Sequence, residues 1–96
     1  MKLLVAKRDP KGNSEFVAIF EGSDGKKKTI RFGTSSNYVS NPDKTKQDRA
    51  AYIARHKVRE DFNNPLTRGA LSRWLLWGES RSFTKNVAAF KRRFNL

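Results

Sequence analysis

Lysine and arginine side chains, which bind phosphate groups, are the residues of this sequence with the clearest chemical potential. The 96 residues include 21 Lys and Arg against 9 Asp and Glu, so the formal net charge is +12. An excess of this size repels itself in a folded chain, and an anionic partner relieves the repulsion. Nucleic acid is the commonest such partner. We therefore expect a nucleic-acid-binding protein, with an ordinary solvated basic surface as the alternative.

The candidate contact residues fall into two groups, one in the N-terminal third and one in the C-terminal third. Between Thr67 and Leu96 the only acid is Glu79, and this asymmetry favours binding over solvation. Phosphate contacts carry no sequence information, and no helix-turn-helix pattern with base-reading side chains is present, so we expect little sequence specificity. The predicted nucleic-acid-binding residues are Lys26, Lys27, Lys28, Arg31, Arg68, Arg73, Arg81, Lys85, Lys91, Arg92 and Arg93.

Two tryptophans beside these cations have two possible roles. Trp74 and Trp77 could stack on bases next to Arg73, as aromatic side chains do in single-strand-binding proteins. Trp74 also shares a predicted helix face with Leu71, and the chain has little other apolar mass. We therefore expect both indoles mainly in the core.

Catalysis and metal binding find little support. The sequence has one histidine and no cysteine, and a lone imidazole cannot form a tetrahedral zinc site. His56 and Glu60 could form an acid–base pair on a helix, but an ordinary hydrogen bond is the favoured reading. We expect no enzyme, cofactor, metal or small-molecule substrate. The short apolar run near Met1 predicts neither a signal peptide nor a membrane span.

The first 33 residues predict a three-stranded antiparallel meander, with strands over 3–7, 15–21 and 27–32 and a turn through 9–13. Asp24-Gly25 is the usual signal of a two-residue type I′ turn. This turn would pair Glu21 with Lys28, Ile19 with Ile30 and Val17 with Phe32 on one face. The other face would then carry Phe16, Ala18, Phe20, Thr29 and Arg31.

Residues 34–44 read as a loop, and residues 45–96 as three short helices. Thr45 and Asp48 form a capping box for a helix over 46–59, with an apolar stripe of Ala50, Ile53, Ala54 and Val58. Thr67 caps a second helix, over 70–77, that buries Leu71, Trp74 and Leu75 and ends before Gly78. Ser82 caps a third helix, which runs to Phe94. The third helix turns Phe83, Val87, Phe90 and Phe94 inward and Lys85 and Arg92 outward, with Lys91 and Arg93 on its flanks. The predicted fold is a single α+β domain.

The C-terminal half contains several distinctive stretches: Arg55-His56-Lys57, Arg59-Glu60-Asp61-Phe62, Asn64-Pro65 with Thr67 and Gly69, Ala70-Leu71-Ser72-Arg73-Trp74-Leu75-Leu76-Trp77 and Phe90-Lys91-Arg92-Arg93-Phe94-Asn95-Leu96. Together they resemble a family of small basic proteins encoded by large nucleocytoplasmic DNA viruses, including the giant and algal viruses. The resemblance covers residues 50–96 well and the N-terminal hairpin loosely. The sequence departs from the family pattern at Phe62, where Trp is common, and at Lys85, where an acid is common.

This resemblance implies a non-enzymatic viral protein, packaged in the virion and present in the host cytoplasm or nucleus during infection, that meets DNA more than RNA. The alternative is a minor capsid-associated protein that acts through protein–protein contacts, for which Phe16, Phe20 or Trp77 would be exposed. An RNA-binding role is a third possibility.

A second resemblance concerns the sheet alone. Three strands followed by a helix resemble the arm-binding domains of integrases and the plant AP2 domain, whose exposed sheet face lies in the major groove of DNA. In this chain that face would present Phe16, Phe20, Thr29 and Arg31.

Overall fold

A computed structural model describes residues 1–9, 15–34 and 36–96 of the chain. It has an α+β fold in which a three-stranded antiparallel sheet precedes three helices, as predicted. Most of the predicted turn through 9–13 lies outside the described residues. The elements are β1 (Lys2–Arg8), β2 (Phe16–Glu21), β3 (Lys27–Phe32), α1 (Lys46–His56), α2 (Arg68–Leu71), a π-helical continuation of α2 (Ser72–Leu76) and α3 (Phe83–Phe94).

The register of the β2–β3 hairpin differs by one residue from the predicted register. Glu21 pairs with Lys27, and Ala18 pairs with Ile30. The loop of the hairpin contains three residues. It begins with a turn that is closed by a hydrogen bond from the Gly25 N–H to the Gly22 carbonyl, and Gly25 itself adopts a left-handed conformation (φ 79°). Such three-residue loops are the next most common hairpin connection after the two-residue loop that was predicted.

This shift changes which side chains share a face of the sheet, because a one-residue slip moves a strand's side chains to opposite faces. Phe16 and Phe20 face the helices and are 4% and 0% exposed. They pack with Ala18, Ile30 and Phe32 in the core, and Thr29 and Arg31 lie on the opposite face. The predicted DNA-reading face that combined Phe16, Phe20, Thr29 and Arg31 is therefore wrong.

The second helix starts two residues earlier than predicted and changes geometry after one turn. The Thr67 hydroxyl accepts a hydrogen bond from the N–H of Ala70, which confirms the predicted cap. After Leu71 the helix becomes π-helical, and the N–H of Trp77 donates to the Ser72 carbonyl at 3.0 Å. The hydrogen bonds of a π-helix join residues five apart, so each turn contains more residues than in an α-helix, and Leu76 is fully buried like Leu71.

The π-helical segment meets the sheet and α3 in one core. Leu75 and Leu76 are fully buried and Trp77 is 6% exposed, whereas Trp74 is only partly buried. Gly33 (φ 78°) leads the chain out of β3 in the left-handed region, and a Cβ there would lie 2.2 Å from Leu76 Cδ1. The predicted position in the core is thus confirmed for Trp77, whereas Trp74 packs at the edge of the core.

The first helix attaches to the body by a different face from the one predicted. The capping box of Thr45 and Asp48 is confirmed, but the helix ends at His56 and has no fully buried residue. Val58, from the predicted apolar stripe, is 77% exposed. Polar and aromatic contacts of Arg49 and Tyr52 hold α1 instead, since the Tyr52 ring stacks on Trp77 with a centroid distance of 4.2 Å.

The third helix follows the prediction closely. Ser82 caps it, Phe90 is 1% exposed, and Phe83, Val87 and Phe94 pack at the edge of the core.

No helix in the described ranges is long and apolar enough to span a membrane.

Candidate nucleic-acid interface

Two arginines from separate helical segments converge on one carbonyl oxygen. The Nε of Arg49, on α1, lies 2.9 Å from the oxygen of Trp77 and 2.9 Å from that of Gly78. The Nη1 of Arg73, in the π-helical segment, donates to the same Trp77 oxygen at 3.1 Å. These carbonyls end the helix and carry partial negative charge, which two guanidinium groups stabilise.

A third arginine joins them through an aromatic ring. The guanidinium carbons of Arg73 and Arg93 lie 4.1 Å and 3.7 Å from the ring centroid of Trp74, within the range of a cation–π contact. The Trp74 indole is held in place by its N–H, which donates to the Phe62 carbonyl at 2.8 Å. We call Arg49, Arg73 and Arg93 the arginine cluster.

The cluster concentrates positive charge. Burial, together with the charges of Arg49 and Arg93, lowers the pKa of the Arg73 guanidinium to about 10, so it still carries its proton at neutral pH. Glu79 acts on Arg73 in the opposite direction. Within the described ranges, the ion pairs join Arg8 to Glu15, Arg31 to Asp9 and His56 to Glu60, and none includes a member of the cluster.

A groove beside the cluster runs between the π-helical turn and α3. Its volume is about 610 Å³, within the range of ligand-binding pockets. Trp74 and Ala89 supply apolar wall above the buried Phe90, while Lys85, Arg92 and Arg93 supply positive charge and Glu79 supplies one carboxylate. We call this hollow the α3 groove, and its lining residues are Trp74, Gly78, Glu79, Ser80, Lys85, Asn86, Ala89, Phe90, Arg92 and Arg93.

Asn86 fixes the turn that forms one side of the groove. Its side chain is 4% exposed, and its amide nitrogen donates to the carbonyls of Leu75 (3.1 Å) and Ser80 (2.7 Å). Its amide oxygen accepts from the N–H of Ser80 at 3.2 Å. Only glycine fits at position 78 beside Asn86, because a Cβ there would lie 2.4 Å from the Trp74 carbonyl oxygen and 2.7 Å from the Asn86 amide carbon.

Four of the eleven predicted contact residues therefore come together around the cluster and the groove: Arg73, Lys85, Arg92 and Arg93. Lys91 is exposed on the same helix but does not line the groove. At about 100° per residue it points roughly 160° away from Arg93.

The predicted residues of the sheet lie in two other places. Lys26, Lys27 and Lys28 are exposed at the tip of the hairpin. Arg31 and Arg68 share a shallow hollow of about 340 Å³ where β3 meets α2. Arg31 is partly neutralised there, because its Nε lies 2.7 Å from Asp9 Oδ2.

Arg81 holds a loop. Its guanidinium donates to the carbonyls of Tyr38, Asn41 and Lys44 and lies 4.0 Å from the centroid of the Tyr38 ring. With its donors committed to three carbonyls, Arg81 fixes the segment 36–44 against the start of α3 and is poorly placed to bind phosphate as well.

Two important residues, Arg49 and Asn86, were not predicted. Arg49 gave no usable signal in the sequence, because its acceptors lie 28 and 29 residues away along the chain. Asn86 offered a usable signal: a polar residue within one turn of Phe83, Val87 and Phe90 sits near the apolar face, and a buried amide must find partners.

The only histidine belongs to a small packed cluster. His56 Nδ1 lies 3.4 Å from Glu60 Oε2, and the His56 ring stacks on Tyr52 with a centroid distance of 4.1 Å. Burial first, and then the Glu60 charge, raise the pKa of Tyr52 to about 12. Among the described residues, no group of three or more His, Cys, Asp and Glu could hold a metal ion.

Comparison with known proteins adds no relative to this description. The chain matches no protein-family model, no curated protein and no solved structure.

Proposed function

We propose that this chain is a non-enzymatic, largely sequence-nonspecific nucleic-acid-binding protein whose main contact surface is the arginine cluster with the rim of the α3 groove. The supporting observation is the convergence of the exposed Lys85, Arg92 and Arg93 at the groove, beside the partly buried Arg73, where Glu79 is the nearest acid in sequence. Exposed cations without carboxylate partners are suited to binding phosphates. Such contacts position a protein on nucleic acid without reading its bases.

The viral resemblance supports DNA as the polyanion, together with packaging in the virion and a presence in the host cytoplasm or nucleus. RNA is the alternative ligand. A competition titration with matched DNA and RNA duplexes separates the two, since preferential displacement by RNA would contradict a DNA role.

The second candidate function is a minor capsid-associated protein that works through protein contacts. It would require an exposed aromatic anchor, as interface hot spots are rich in such residues. Phe16, Phe20 and Trp77 are all buried. Among the described residues, the large apolar side chains that are exposed are Met1, Leu4 and Val58, and none of them is aromatic. This observation favours nucleic acid.

A charge-reversal experiment tests the proposed surface. The double variant Lys85→Glu/Arg92→Glu changes two exposed residues on the groove rim. The matched control, Lys26→Glu/Lys28→Glu, changes the same charge at the hairpin tip. We expect the α3 variant to bind a short labelled duplex more weakly by on the order of tenfold, with a salt slope reduced by about 2.

Each outcome of this comparison has a definite meaning. A larger loss in the hairpin variant would move the contact surface to the sheet. Unchanged affinity in both variants, with circular dichroism showing intact folds, would contradict the proposed contact surface, whereas no detectable binding by the wild-type protein would contradict the nucleic-acid proposal and favour the protein-contact function.

A further inference from the structure

The α3 groove has a composition that phosphate binding alone does not explain. A phosphate site needs cations and N–H donors, whereas this groove also has apolar wall from Trp74 and Ala89. It further contains the carboxylate of Glu79, which repels a phosphate in the groove but can accept a hydrogen bond from a base edge. A flat ligand with a polar edge and an attached phosphate would match all three features of the groove: the apolar wall, the carboxylate of Glu79 and the cations.

We propose that the α3 groove receives one unpaired nucleobase, so that the protein binds single-stranded nucleic acid in preference to duplex. This inference rests on the proposed nucleic-acid-binding function and specifies the form of the ligand. A duplex keeps its bases stacked inside, and only a single strand or a flipped nucleotide can place a base in a side groove.

The stacking surface for the base is the guanidinium of Arg93. Its carbon lies 3.7 Å from the Trp74 ring centroid, and the exposed Arg93 side chain also lines the groove. Arginine planes stack on aromatic rings and on nucleobases. A base in the groove therefore extends the stack that Trp74 and Arg93 already form.

The cations beside the groove lie where the flanking backbone would pass. Lys85 and Arg92 lie on the exposed side of α3, and within the described residues neither has a carboxylate partner. Single-strand-binding proteins share this combination of a stacking surface and a positively charged track. Asn86 keeps the site preformed, since its three hydrogen bonds hold the turn that closes the groove.

Two adjacent alanines provide a matched pair of variants. Ala88 and Ala89 are both exposed near the middle of α3, but only Ala89 lines the groove. Ala89→Trp fills the hollow, and Ala88→Trp adds the same side chain outside it. Neither substitution changes a charge, so contacts to phosphate remain.

The experiment compares three ligands of about twelve nucleotides at one salt concentration: an oligodeoxycytidylate, an abasic strand with the same number of phosphates, and a duplex. For the wild-type protein we expect the oligodeoxycytidylate to bind more tightly than the abasic strand by about fivefold or more, the lower end of what stacking one base supplies. Ala89→Trp should remove this difference, and Ala88→Trp should keep it.

The outcomes separate the two proposals. If the wild-type protein binds the abasic strand and the duplex as tightly as the oligodeoxycytidylate, the base site is overturned and phosphate binding stands. If Ala89→Trp keeps the difference, or Ala88→Trp also loses it, the α3 groove is not the base site. If no ligand binds, the proposed function itself fails.

Discussion

Arg49 and Arg73 donate hydrogen bonds to the same carbonyl oxygen, that of Trp77, at 2.9 Å and 3.1 Å. This shared acceptor holds two positive charges together, although like charges at close range repel each other. It also joins α1 to the end of the π-helical segment. The same contact therefore connects α1 to the body of the protein and brings two positive charges of the arginine cluster together.

Replacing Arg49 tests its role in attaching α1. Arg49→Met removes donors to the Trp77 and Gly78 carbonyls, and we expect the free energy of unfolding to fall by about 1–2 kcal/mol, a typical contribution of hydrogen bonds from charged donors. Urea unfolding followed by circular dichroism measures the change. Arg55→Met, at an exposed position of the same helix, is the control. Equal stability of the two variants would show that Arg49 does not hold the helix.

Inorganic triphosphate should stabilise the protein by neutralising the arginine cluster. A ligand that binds only the folded state raises stability with its concentration, and for a domain of this size about 1 kcal/mol corresponds to a rise of about 4–8 °C in Tm. We expect such a rise relative to sodium chloride of equal ionic strength. Arg93→Gln should reduce the rise, whereas Lys26→Gln should retain it. Identical Tm values in the two salts would contradict the prediction.

The buried amide of Asn86 should be essential to the turn beside the groove. Asn86→Leu leaves the carbonyls of Leu75 and Ser80 without their donor, and each buried unsatisfied group destabilises by about 1–3 kcal/mol. We expect a loss of about 2 kcal/mol or more in unfolding free energy. Thr84→Leu, at an exposed position of the same helix, should change stability little. A fully stable Asn86→Leu protein would show that these bonds are dispensable.

Acid should weaken the cap of α1. Hydrogen bonds from the backbone N–H and hydroxyl of Thr45 lower the pKa of the Asp48 carboxyl below its ordinary value of 3.8. A carboxyl whose pKa is lower in the folded state stabilises the fold above its unfolded pKa and loses that contribution as pH falls through the folded value. Asp48→Ala should therefore lower Tm at pH 7 and have a smaller effect below pH 3.8. An equal effect at both values would contradict a role of the ionised carboxylate.

Local signals predicted most of the secondary structure. The caps Thr45, Thr67 and Ser82 lie where expected, because a cap depends on residues within one turn of the chain. The hairpin register was missed because Asp24-Gly25 is compatible with both a two-residue and a three-residue loop. Packing of Phe16 and Phe20 against the helices distinguishes the two, and that contact is not local.

The predicted site was recovered in part, for a similar reason. Helical periodicity placed Lys85 and Arg92 on the outside of α3, and they lie on the rim of the groove. Sequence could not show that Arg81 holds three loop carbonyls, or that Arg49 reaches the end of the π-helical segment. Both depend on chain segments brought together only by folding.

The most direct test of the account is a salt titration of nucleic-acid binding by the wild-type protein. Phosphate contacts by Lys85, Arg92 and Arg93 predict that log K against log salt concentration falls with a slope of about −3 or steeper between about 50 and 200 mM salt on duplex DNA. A slope near zero, or no detectable binding at the lowest salt concentration, would contradict it.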